Sequence, residues 1–154
     1  MRDVVYANQK SIGYAEIYVA DSAVAQSIPT GATYTKVTLF TTNGLSKRCT
    51  ADVANDKLIA TKNGIYFVNG SFNMQSGTAL VTFRGAAFLG GNEQNQIHWK
   101  RIMSVKSDSG SASFTGFINV TTAPQDIDFR VRHDNGGNVD FTLEYANMNI
   151  QFVE

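Results

Sequence analysis

Two residues of this chain carry an imidazole, His98 and His133, and one carries a thiol, Cys49. Hydrolytic chemistry needs a general base beside an activated nucleophile, and the sequence around these residues does not supply that pairing. His98 stands in Gln96-Ile97-His98-Trp99-Lys100, where polar and apolar residues alternate as in a strand, so it reads as a surface or edge residue. His133 precedes Asp134 and the turn-forming Asn135-Gly136-Gly137, where an aspartate serves turn geometry. Triads assemble in space, so spacing alone neither makes nor excludes one, but no Gly-x-Ser-x-Gly elbow is present. The expectation is a protein without a catalytic site.

Metal and cofactor chemistry are equally thin. Asp126, Asp128, Asp134 and Asp140 cluster late in the chain, but Asp126 and Asp128 share a strand face with Arg130 and Arg132. That pattern reads as a charged strand face whose side chains pair across the sheet, and the oxygen-rich run of a helix-flanked calcium loop is missing. A lone cysteine makes neither an intrachain disulfide nor a thiolate cluster, and Cys49 is expected to be a small buried strand residue. Gly90-Gly91 and Gly136-Gly137 have no helix behind them to cradle a phosphate, so they read as turns. Trp99 beside Lys100-Arg101 is an isolated basic spot. Asn69-Gly70-Ser71 and Asn119-Val120-Thr121 match a glycosylation sequon but lie in strand-like runs. No cofactor and no metal are expected.

The 13 basic and 13 acidic residues cancel, which removes the electrostatic case for nucleic acid or an anionic membrane as partner. The apolar run Val4-Val5-Tyr6 is too short for a secretory signal, and nothing approaches a membrane span, so a cytoplasmic site of synthesis and assembly is expected. At 154 residues, 43% of them hydrophobic, the chain can bury a core without staples.

The elements that hold these residues are strands. In Asp126-Ile127-Asp128-Phe129-Arg130-Val131-Arg132 the apolar residues fall on one face of a strand, whereas a helix would scatter them. Val139, Phe141, Leu143 and Tyr145 alternate in the same way. So do Met148, Ile150 and Phe152, then Phe114, Ile118 and Val120, then Tyr66, Val68, Phe72 and Met74, with Val37 and Leu39 opening the series. Asn43-Gly44, Asn63-Gly64, Ser76-Gly77, Gly90-Gly91-Asn92 and Asn135-Gly136-Gly137 carry hairpin signals. Eight to ten short strands imply an all-β, two-sheet sandwich or barrel over residues 14–154, preceded by an extended arm over residues 1–13.

Residues 55–72, running from Asn55-Asp56-Lys57-Leu58 to Asn63-Gly64-Ile65-Tyr66-Phe67-Val68-Asn69-Gly70-Ser71-Phe72, resemble the C1q/TNF-like jelly roll. In that family a short strand leads to a glycine and then an aliphatic-Tyr-aromatic strand across the core. Tyr34 to Gly44, Ser111 to Val120, Asp126 to Arg132 and the C-terminal strand fit the flanking family strands, so the resemblance covers most of residues 30–154. It implies an antiparallel jelly-roll sandwich and a tight homotrimer. The family includes secreted animal ligands as well as knobs and decoration proteins on bacteriophage particles. The absence of a signal, a collagen-like repeat and a cysteine pair favours the phage setting, and the absence of a long shaft favours capsid decoration over a fibre tip.

One strand supports the trimer independently. Ile65-Tyr66-Phe67-Val68 is apolar on both faces, and in a sandwich the opposite sheet covers only one. With Tyr66 and Val68 inward, Ile65 and Phe67 point out. Each such side chain, left in water, forfeits roughly 1.5–3 kcal/mol of burial. Ile65, Phe67 and Phe117 are therefore the expected trimer interface, and Arg2, Val4, Val5 and Tyr6 the arm that straps onto a major capsid protein. The expected role is a non-enzymatic capsid decoration (cement) protein on the virion surface, with a receptor- or glycan-binding fibre head, or a bacterial C1q-like binding module, as alternatives. A fibre head would use the loops from Gly90 to Gln96 and from Asp134 to Asn138.

Overall fold

The computed structural model describes residues 12–154. The expected arm residues Arg2, Val4, Val5 and Tyr6 lie outside them. Twelve strands follow: β1 (Tyr14–Val19), β2 (Ala25–Ile28), β3 (Thr35–Lys36), β4 (Thr42–Lys47), β5 (Thr50–Asp52), β6 (Lys57–Ala60), β7 (Gly64–Ser76), β8 (Val81–Leu89), β9 (Asn92–Met103), β10 (Ser109–Val120), β11 (Gln125–His133) and β12 (Val139–Phe152). A single 3-10 turn, Val53–Asn55, interrupts them.

The strands form two antiparallel sheets. One runs β10-β7-β12-β1-β4, with β2 also paired to β12; the other runs β5-β6-β11-β8-β9, with β3 paired to β11. The pairs β1/β12, β6/β11, β7/β10 and β8/β9 are nested, so the first strand lies beside the last and the middle two beside each other. That nesting is a long antiparallel ribbon rolled onto itself, the jelly roll.

Alternation explains the core. Along β7, Tyr66, Val68, Gly70, Phe72 and Met74 point inward and are buried, while Ile65, Phe67, Asn69 and Asn73 point outward. Phe72 stacks on Phe129 of the opposite sheet at 4.4 Å between centroids and 18° between planes, with Phe114 at 5.4 Å and Trp99 at 6.4 Å. Two glycines make room for this aromatic cluster. A Cβ at Gly70 would sit 2.7 Å from the rings of Phe72 and Phe114, and a Cβ at Gly85 would fall within the Trp99 indole.

Several local expectations change. Of the five hairpin signals only Gly90-Gly91 closes a two-residue hairpin, joining Leu89 to Asn92 with φ of 55° and 84°. Asn63-Gly64, Ser76-Gly77 and Asn135-Gly136-Gly137 instead carry the chain from one sheet to the other, because the rolled ribbon makes sequence neighbours cross the sandwich. Asn43-Gly44 is no turn at all. It lies inside β4, where a Cβ on Gly44 would collide with the Glu16 side chain. Val37 and Leu39 are buried but lie beyond the two residues of β3, in irregular chain.

Tyr145 departs from the inward set of Leu143. The β12 register shifts between Leu143, opposite Met74, and Tyr145, opposite Asn73, so Glu144 is an extra residue in a bulge. The shift resets the phase: Ala146, Met148 and Ile150 turn inward and Tyr145 is left 52% exposed. Phe152, read with Met148 and Ile150, is only half-buried.

Candidate functional site

The outward face of β7 and β10 carries the predicted interface residues. Phe67 and Phe117 are directly opposite each other in the β7/β10 register, their ring centroids 5.4 Å apart and the planes inclined by 58°. Phe114 and Gly116 face the other way with no break in register, so Phe117 points out without a bulge. Phe117 is 57% exposed, while Phe67 and Ile65 are half-buried. The backbone of Ile65 pairs with the chain end: its N–H donates to the Glu154 carbonyl at 2.7 Å and its carbonyl accepts from Val153 at 2.8 Å.

Further along the same face the side chains become polar. A groove of about 640 Å³ runs between Ser71 and Asn73 of β7, Ser111 and Ser113 of β10, Tyr145 and Asn147 of β12, and Glu16 and Tyr18 of β1. Asn147 donates to Glu16, and Asn149 donates to Asn147 at 2.9 Å, forming a chain of hydrogen bonds across β12 and β1. At the bulge, Glu144 accepts from Gln75 and Ser109, each at 2.8 Å. The Asn73 side-chain oxygen is buried and has no hydrogen-bond partner. One sheet face therefore combines an exposed aromatic contact, which a second surface could cover, with a polar groove beside it.

The residues weighed for chemistry are dispersed and occupied. His133 is fully buried at the end of β11, not set in a turn. Its Nε2 lies 3.0 Å from the Ile28 carbonyl and its Nδ1 accepts the Asn135 N–H at 3.2 Å, so the ring ties β2 to the β11–β12 crossing. His98 is exposed on β9 and meets Glu93 at 3.1 Å. Cys49 is buried, and that burial raises the pKa of its thiol, with hydrogen bonds involving Thr61 and Tyr66 opposing the rise. Three of the four late aspartates are held by cations: Asp126 by Lys57 at 2.9 Å, Asp128 by Arg130 at 2.7 Å, and Asp134 by Arg84 at 2.9 Å. Arg84 holds the Asp134 carboxyl below its ordinary pKa. Asp128 is not a solvated surface charge, being 5% exposed beneath an Arg130 that lies 4.3 Å over the Phe88 ring. Among the described residues no group of three or more His, Cys, Asp or Glu is placed to hold a metal ion.

The outer face of the second sheet holds a constellation that sequence reading did not assemble. Arg132 of β11 is opposite Arg84 of β8, which is opposite Lys100 of β9. These three residues are 48 and 16 positions apart, and each only shows the outward parity of its own strand; register alone brings them into one row.

The nested pairing and layering define a two-sheet TNF-like jelly roll, all-β and antiparallel. No family model matches the sequence, and no curated protein matches it. Among solved structures the chain is similar to the one titled "Structure of Eiger TNF from S. frugiperda", with a TM-score of 0.62 over 92% of this chain and 94% of that one. The two sequences are 8% identical, so the likeness is one of fold.

Proposed function

We propose that this chain is a non-enzymatic structural subunit that works as a homotrimer, a decoration (cement) protein bound to the major capsid protein on the virion surface. The observation that carries the reading is Phe117, 57% exposed and resting on Phe67 on the outer face of the β10-β7-β12 sheet. A lone subunit gains nothing from leaving that pair in water, whereas copies packed around a shared axis remove it from solvent. The groove beside it is the polar half of the same contact.

The virion setting comes from the sequence resemblance to phage decoration proteins. The work done there is binding: a trimer that engages several capsid subunits stabilises the shell by mass action and needs no chemistry. Attachment is assigned to the arm, residues 1–13, with assembly in the host cytoplasm. The test joins sedimentation velocity of the purified chain to co-sedimentation with empty capsids. A trimer that binds capsids, and loses them but not its mass when residues 2–12 are deleted, supports the reading. A monomer at micromolar concentration, or full capsid occupancy by the truncated chain, overturns it. A second reading, the binding head of a fibre, is favoured by the cationic row on the other sheet.

A further inference from the structure

We infer that the outer face of the β11-β8-β9 sheet is a binding site for an acidic sugar, a pyranose bearing a carboxylate or sulfate. This inference stands apart from the trimer, because the site lies on the opposite side of the sandwich from Phe67 and Phe117.

The site is a depression of about 300 Å³ lined by Tyr34, Arg84, Glu93, His98, Lys100 and Arg132. Its floor is the row Arg132, Arg84, Lys100, three like charges directly opposite one another on adjacent strands. Such a row is destabilising unless an anion lies across it. Asp134 partly offsets the row: Arg84 grips it through Nε and one Nη, and Arg132 and Lys100 act on the same carboxylate from a distance. Lys100 and Arg132 have no ion-pair partner among the described residues, and Arg132 Nε is buried without a hydrogen-bond partner. One wall is aromatic. Tyr34 lies 5.2 Å from the Arg132 guanidinium, edge-on to Phe88 at 5.4 Å and 6.3 Å from the His98 ring. The Tyr34 ring therefore orders Arg132 across one of its faces and forms the aromatic wall of the depression.

The mix of groups selects the ligand. Unpaired guanidinium and ammonium donors call for an oxyanion. The carboxylate of Glu93, which lines the depression beside His98, would repel a polyanion but accept hydrogen bonds from hydroxyl groups. An oxyanion, several hydroxyls and an apolar edge to rest against the aromatic wall coincide in an acidic sugar of one residue, for which a cavity of this volume has room.

The full chain, labelled with nitrogen-15, would be titrated separately with methyl β-glucuronide, glucose 6-sulfate, methyl β-glucoside and sodium sulfate. The expected result is that at least one acidic sugar shifts the amides of Tyr34, Arg84 and Lys100, and the tighter of the two identifies the oxyanion. The neutral glucoside and the inorganic ion are expected to bind weaker by roughly 10-fold or more, since each lacks one half of the recognition. Lys100→Gln, an exposed change with no ion pair to lose, should weaken the acidic sugar by a similar factor at a melting temperature unchanged or slightly raised by the relief of like-charge repulsion. Equal binding of the neutral glucoside, equal binding of sulfate alone, no response to either acidic sugar, or wild-type affinity in Lys100→Gln would each overturn the assignment.

Discussion

Replacing Phe117 with aspartate separates folding from assembly, because its side chain contributes little to the one and, on the proposed reading, much to the other. Phe117 is 57% exposed in the isolated subunit, so its fold loses little by the change. The β-propensity difference and the lost contact with Phe67 amount to about 1 kcal/mol. In the trimer the balance is different. Covering the exposed half of a phenylalanine is worth about 1 kcal/mol, being half of the roughly 1.5–3 kcal/mol for complete burial. An aspartate there forfeits that gain and places a carboxylate under the neighbouring copy, at a cost of several kcal/mol per ion. Summed over three symmetric copies, the loss is on the order of 10 kcal/mol, or about seven decades in the dissociation constant. Sedimentation velocity over a concentration series reads the mass, and thermal unfolding followed by circular dichroism reads the fold. The expected variant is a folded monomer with a melting temperature close to that of the wild-type fold. Phe67→Asp should behave alike. A Phe117→Asp protein that keeps the wild-type mass would refute the interface, and so would a wild-type chain that is itself monomeric.

Other changes probe the fold that supports these faces. Gly85→Ala thrusts a methyl into the Trp99 indole and should destabilise by about 1–3 kcal/mol in chemical denaturation, as overpacked cores do. His133→Ala leaves the Ile28 carbonyl and the Asn135 N–H without their partner and should cost about 1–3 kcal/mol by the same measurement. Burial raises the pKa of both the Cys49 thiol and the Tyr66 hydroxyl. Their share of stability is therefore complete below the unfolded-state pKa values and lost as pH rises through the folded ones. Denaturation midpoints should fall on the alkaline side, above about pH 8.5, and fall less in Cys49→Ala.

The period-two runs were legible because a strand puts alternate residues on opposite faces whatever its neighbours do. Tyr66, Val68, Phe72 and Met74 could be assigned to the core, and Ile65 and Phe67 to the outside, from composition and order alone. The signal fails where backbone geometry intervenes. Tyr145 belongs to the same visible alternation as Leu143, but the bulge at Glu144 adds a residue and turns it out to Asp21, whose carboxylate accepts its hydroxyl at 3.2 Å. Turn residues, similarly, announce that the chain reverses and not which sheet it enters next. Gly90-Gly91 closes a hairpin while Asn63-Gly64 begins a crossing, and nothing local distinguishes them.

By itself, then, the order of residues determined an all-β sandwich, a two-faced β7 and the buried destiny of most apolar side chains, since each follows from the parity of a single strand. Only the folded chain decided which strands lie side by side, and so which side chains meet across them. Phe67 meets Phe117, and Arg132, Arg84 and Lys100 share one row, because pairing register is set by the closure of the whole roll and by the fit of its core.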